Sequence, residues 1–126
     1  MPRSIRTLTL SAMLLAAAMP AALAAALSLA VLEAEAVRDT ATGQPAIGIA
    51  FYTESAEALA AFTRDHVGRQ IVIRIDGEDV MSPIIREPIL GGEILISGNM
   101  TMADAEALAA RLSAGDAKIE FDLVGE

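Results

Sequence analysis

The stretch from Gln70 to Met81 leaves the chain little choice but a β-hairpin. Ile71, Ile73 and Ile75 alternate with Val72 and Arg74, the two-residue period of a strand with one face buried, and Asp76-Gly77 follows at once. A two-residue type I′ reversal needs positive φ at both central positions, and Asp-Gly supplies it at low cost. A short return strand, Glu78 to Met81, is predicted, stopped by Pro83.

Similar punctuation divides the rest. Leu27 to Arg38 reads as one strand, with Leu32, Ala34 and Ala36 on one face and Glu33 and Glu35 on the other. The turn-rich run Asp39 to Pro45 leads to a second strand, Ala46 to Tyr52, with Ile47, Ile49 and Phe51 on one face, and the two strands are predicted to form a hairpin. Thr53 offers an N-cap, with Glu54 and Glu57 in the first turn of a helix that runs to about His66, buries Ala58, Leu59 and Phe62, and ends at Gly68. Ile84 to Leu90 is extended but interrupted by Pro88, which suits an edge or loop better than a central strand. Gly91-Gly92 turns the chain into another strand, Glu93 to Ser97.

The second helix is the best-marked element. Thr101 and Asp104 resemble a capping box, Ala105, Leu108, Ala109 and Leu112 form one apolar stripe, and Gly115 caps the end. Lys118 to Val124 closes the chain as a strand with Ile119, Phe121 and Leu123 inward. Burying both helical stripes on a largely antiparallel sheet predicts an α+β fold, ferredoxin-like or a similar two-layer sandwich.

The first residues follow a different logic. Arg3 and Arg6 precede the apolar run Leu8 to Ala18, and Pro20 leads into Ala21-Ala22-Leu23-Ala24. A basic start, an apolar centre and a small-residue end predict a signal peptide over residues 1–24, with Ala26 or Ala22 as alternative cut points, and a domain over 25–126. The alternative is an uncleaved membrane anchor, because no residue from Thr7 to Leu32 is charged. Cleavage would remove two arginines and take the formal charge from −8 to −10. Such an acidic surface, without a basic patch, argues against nucleic acid and anionic membranes as partners. No cysteine is present, so disulfides, thiolate chemistry and a lipid anchor on Cys are excluded.

Catalytic, cofactor and metal sites are all read as none. His66 has only Asp65 and Arg64 beside it in sequence and reads as a helix-terminal histidine. Ser28, Ser55, Ser82, Ser97 and Ser113 lie in no G-x-S-x-G setting. Asp76-Gly77-Glu78-Asp79 lacks the ligand spacing of an EF-hand and is explained by the turn. Gly91, Gly92 and Gly98 make no phosphate-binding fingerprint. Glu33 and Glu35, two apart on a strand, read as solubilising charge.

Family resemblance enters between Val37 and about Gly115. Asp39 with Gly43-Gln44-Pro45-Ala46, Ala60-Ala61-Phe62-Thr63 with His66-Val67-Gly68-Arg69, and Ile71-Val72-Ile73 with Ile75-Asp76-Gly77 occur in order. They are followed by Ser82-Pro83-Ile84-Ile85-Arg86-Glu87-Pro88-Ile89-Leu90-Gly91-Gly92, then Ile96-Ser97-Gly98-Asn99-Met100-Thr101, then the second-helix residues Glu106-Ala107, Leu108-Ala109 and Leu112 to Gly115. This series resembles the head subdomain of the first periplasmic domain of the SecD/SecDF protein-export subunit. The Pro83–Gly92 and Ile96–Thr101 blocks are its specific part.

The resemblance implies a stand-alone, secreted, non-catalytic periplasmic head without the membrane helices that couple export to proton flow. Asp116-Ala117-Lys118 departs from the Ala-Leu-Pro-like exit of the family. The implied partners are polypeptide chains, unfolded ones included, or Sec translocon components, with no cofactor and no membrane span after cleavage. Strands interrupted by Pro83 and Pro88 would leave sheet edges open to an added strand. The alternative is a small-ligand-binding periplasmic domain on the same fold, although three Phe, one Tyr and no Trp offer little for stacking. A hydrolase would need a serine or aspartate beside His66.

Overall fold

A computed structural model describes residues 26–125, so the expected signal peptide at 1–24 lies outside the described residues. The strands are β1 (Leu27–Leu29), β2 (Val31–Arg38), β3 (Pro45–Phe51), β4 (Ile71–Ile75), β5 (Glu78–Met81), β6 (Glu93–Ser97) and β7 (Ile119–Leu123). Helix α1 (Thr53–Asp65) follows β3 and α2 (Met102–Ser113) follows β6. Two helices packed on antiparallel strands give the α+β class that the patterning predicts. The strands are shared between two sheets, ordered β1-β7-β4-β5 and β2-β3-β6, with every pairing antiparallel. One apolar core joins both sheets to both helices. It includes Ile47 and Ile96 from one sheet, Ile71 and Phe121 from the other, Leu59 from α1 and Leu112 from α2.

The hairpin at Asp76-Gly77 forms as its residues dictate, with φ of 54° and 85°. The capping box of α2 is complete: the Asp104 amide donates to the Thr101 hydroxyl and the Thr101 amide donates to the Asp104 carboxylate. Ala105, Ala109 and Leu112 are its buried residues.

Three local expectations change. The strand predicted over Leu27–Arg38 breaks at Ala30, and its two halves join different sheets. Ala30 donates its N–H to the Ser55 hydroxyl (2.7 Å) and its carbonyl accepts from the Tyr52 N–H (3.1 Å), so its polar groups serve the start of α1 and not a ladder. An irregularity between Val31 and Glu33 then takes Leu32 out of the alternation, leaving it half-exposed, while Ala34 and Ala36 face inward opposite Ile49 and Ile47. The N-cap of α1 is Tyr52 and not Thr53, held extended by that link to Ala30 and making no side-chain cap bond. On α1, Leu59 is buried as predicted, but the second fully buried residue is Thr63, while Ala58 and Phe62 are only half-buried.

Between β5 and β6 the chain stays irregular, in keeping with Pro83 and Pro88. It is nonetheless pinned. Ile71 and Gly68 donate their amides to Pro83 O (2.9 Å) and Ile85 O (2.7 Å), and Ile85 donates to Arg69 O (2.9 Å). Ile89 donates to the Thr63 hydroxyl (2.8 Å), which itself donates to Leu59 O (2.8 Å).

Candidate functional site

A sheet edge carries unpaired amides and carbonyls, and a folded protein either covers them or offers them to a partner. The edge at β2 is covered. The Ala34 N–H donates to Ser113 Oγ (2.9 Å), and that hydroxyl donates back to Ala34 O (2.8 Å), so one side chain on α2 satisfies both groups.

The opposite edge, β6, is open. The Phe51 amide donates to Gly92 O (3.0 Å), and the β3–β6 register pairs Ile49 with Ile94 and Ile47 with Ile96. Hydrogen-bonded pairs alternate along an antiparallel ladder, so Glu93, Leu95 and Ser97 turn their N–H and C=O groups away from β3. Among the described residues, no other element is hydrogen-bonded to those groups.

Beside this edge lies an apolar cleft of about 310 Å³. Its floor is core: Ile71, Ile73 and Phe121. Its far wall is Met81 and the pinned segment Pro83–Ile85, with Ile84 about half-exposed at the lip. Its near wall is Glu93, Ile94 and Leu95. Consecutive strand residues point to opposite faces, so a cleft touching all three meets β6 edge-on. The backbone of the far wall is already bonded to Gly68, Arg69 and Ile71 on its other side, and Pro83 has no amide hydrogen to offer β6.

Other residues singled out from the sequence have structural employment. His66 Nδ1 lies 2.8 Å from Phe62 O and its ring packs on Phe62, with no serine or aspartate hydrogen-bonded to it among the described residues. Ser55 and Ser113 satisfy backbone groups, and Ser28 donates to Glu120 (3.3 Å). Glu33 and Glu35 are exposed on the outer face of β2, and Glu93 joins Glu33 there, both opposite Ala50 from either side. The cleft residues Ile94 and Leu95 were not marked by sequence, because alternation shows a strand but not which strand ends a sheet.

The main ion pairs are staples. Arg74 on β4 bonds Asp79 (2.9 Å) and Asp122 (3.2 Å), tying β5 and β7 to the strand between them, and both bonds raise its pKa, Asp122 most. Asp76 joins the hairpin to two elements at once. Its carboxylate accepts from the Lys118 amide (2.9 Å) and pairs with Arg111 of α2. The Lys118 bond chiefly holds the Asp76 carboxyl below its ordinary value of 3.8. A depressed folded-state pKa stabilises the fold fully above that ordinary value, and the contribution is lost as pH falls through the lower, folded value. Asp76→Asn tolerates the same positive φ and is expected to lower the urea midpoint at neutral pH. Between neutral pH and pH 3 the variant should then lose less stability than the parent; an equal acid loss in both would contradict this assignment.

The three-stranded sheet thus has one edge capped from α2 and one open, with an apolar cleft along the open one. The sequence matches the family model for the SecDF P1 head subdomain over residues 23–118, and the chain belongs to that family. It is 36% identical over 83 residues to the protein translocase subunit SecD of Acidaminococcus fermentans, covering 66% of this chain and 20% of that one. It is 40% identical over 73 residues to the SecD of Dictyoglomus turgidum, covering 58% of this chain and 18% of that one. The chain therefore spans about a fifth of the length of these relatives. Among solved structures, it superposes on SecDF in the super-membrane-facing form with a TM-score of 0.66 at 28% identity, covering 75% of this chain and 13% of that one. A second SecDF structure, of the membrane component that enhances protein export, gives 0.64 at 29% identity and covers 79% and 44%.

Proposed function

We propose that this domain is a non-catalytic periplasmic module that binds unfolded or extended polypeptide in the service of protein export. The observation that carries the reading is the apolar cleft against the unpaired edge of β6, in a domain whose relatives are named as translocase subunits. An exported chain passes through unfolded, with apolar side chains and backbone groups both exposed, and the cleft offers a counterpart to each. A small-ligand reading finds less support. The hollow between Ser28–Val31, Tyr52 and the end of α2 measures about 580 Å³, but the Ser55 and Ser113 hydroxyls that line it already bind backbone.

Photo-crosslinking in cells checks this reading. With a photoreactive residue at Ile84 on the cleft lip of the full chain, an exported reporter stalled in transit should be captured. The same residue at Glu106, exposed on α2 and away from the cleft, should capture it far less. Equal yields from the two positions, or none from either, would count against the proposal.

A further inference from the structure

Polypeptide binding at the cleft leaves the form of the bound segment open, and the geometry of the β6 edge specifies it. Resting on that polypeptide-binding reading, we propose that β6 accepts an extended segment as an additional antiparallel strand, with an aliphatic side chain at every second position entering the cleft and basic side chains on the opposite face. Three observations define this occupant.

The first is the backbone. Glu93 and Leu95 each present an N–H and a C=O outward, a ready template for a short strand. Ser97 presents the same groups, but at that end β5 closes in: a Cβ built on Gly98 would stand 3.5 Å from Val80 O. Pairing is thereby confined to the Glu93–Leu95 half, the half that borders the cleft.

The second is the pleat. Residues of an added strand opposite Ile94 point to the same side as Ile94, toward the apolar floor of Ile71, Ile73 and Phe121, which matches aliphatic groups, while the charged lining residues Arg86 and Glu87 are exposed. Their neighbours, opposite Glu93 and Leu95, point outward with those residues.

The third is charge. On the outward face of this three-stranded sheet Glu33, Glu35 and Glu93 are exposed, and the other outward-facing residues of the ladder are uncharged. Lysine or arginine at the outward positions complements that face, and Asp or Glu is repelled by it. The segment so defined alternates aliphatic and basic residues.

In an antiparallel pair the guest residues opposite Glu93 and Leu95 aim their amides at β6, while the residues between them aim theirs away. Backbone methylation can therefore break strand addition without altering a side chain. The full chain is titrated with a labelled short peptide of alternating valine and lysine, then with two versions N-methylated on the valines or on the lysines, with binding read by fluorescence anisotropy.

The lysine-methylated peptide is expected to bind roughly tenfold more weakly, having lost two or so edge hydrogen bonds, and the valine-methylated one nearly as well as the parent. A glutamate-for-lysine peptide is expected to fall by a similar factor at low salt, the gap closing as salt is added. If both methylated peptides bind like the parent, strand addition is wrong while polypeptide binding stands. If no peptide binds a chain whose circular dichroism shows it folded, the polypeptide reading fails as well. A dimer of the chain that Leu95→Pro dissolves would assign the edge to a second copy and overturn the proposal.

Discussion

Gly92→Val is expected to destabilise the domain by roughly 3 kcal/mol, the combined cost of a left-handed conformation for a branched residue and an overpacked contact. Gly92 has φ of 72°, and a Cβ there would lie 2.9 Å from the Ala56 Cβ of α1. Neither partner can yield easily, because Ala56 is part of the helix and the Gly92 carbonyl accepts the Phe51 amide that opens the β3–β6 ladder. Urea unfolding reads the loss. Gly92→Ala combined with Ala56→Gly separates the two causes: the double variant should relieve the clash and keep the backbone penalty, so the two substitutions should be non-additive. Additive effects would show that the contact carries no energy.

Thr63→Val is the second large effect, expected at roughly 2 kcal/mol, for losing the acceptor of the part-buried Ile89 amide together with the buried bond to Leu59 O. The side chain is fully buried, and its shape is nearly kept by valine. What is lost is the acceptor for the Ile89 amide, 26 residues away in sequence, and with it the tie between α1 and Ile89, which also lines the cleft. Stability alone would not distinguish this from a packing defect. The distinguishing readout is amide exchange: Ile89 should exchange much faster in the variant, while amides of β4 and β7 slow or quicken only in proportion to global stability. An Ile89 amide that stays protected would refute the link.

Both predictions turn on long-range contacts that the sequence does not show, Gly92 with Ala56 and Thr63 with Ile89, and the reason is common to them. The Asp76-Gly77 reversal, the Thr101/Asp104 capping box and the proline-broken run after Met81 are legible because each is decided by neighbours within a few positions. The break at Ala30 is decided by Ser55, and the N-cap at Tyr52 by Ala30, contacts across more than twenty residues. Thr63 reads as a polar residue on the flank of a helix until Ile89 is placed against it. Pro83 and Pro88 predict an open edge on their own segment, but its backbone is bonded to Gly68, Arg69 and Ile71, and the open edge is β6. That location was not legible, because two sheets can be told from one only after every strand has found its partner.

The first and last strands are hydrogen-bonded neighbours, with Leu27 opposite Phe121 and Leu29 opposite Ile119. Because they run in opposite directions, the chain arrives at β1 and departs from β7 on the same side of the sheet, a strand's width apart. A domain whose ends meet in this way can be spliced into a longer polypeptide as a self-contained insert, since the host need only open a short gap to receive it. That arrangement suits a fold found within relatives about five times its matched length.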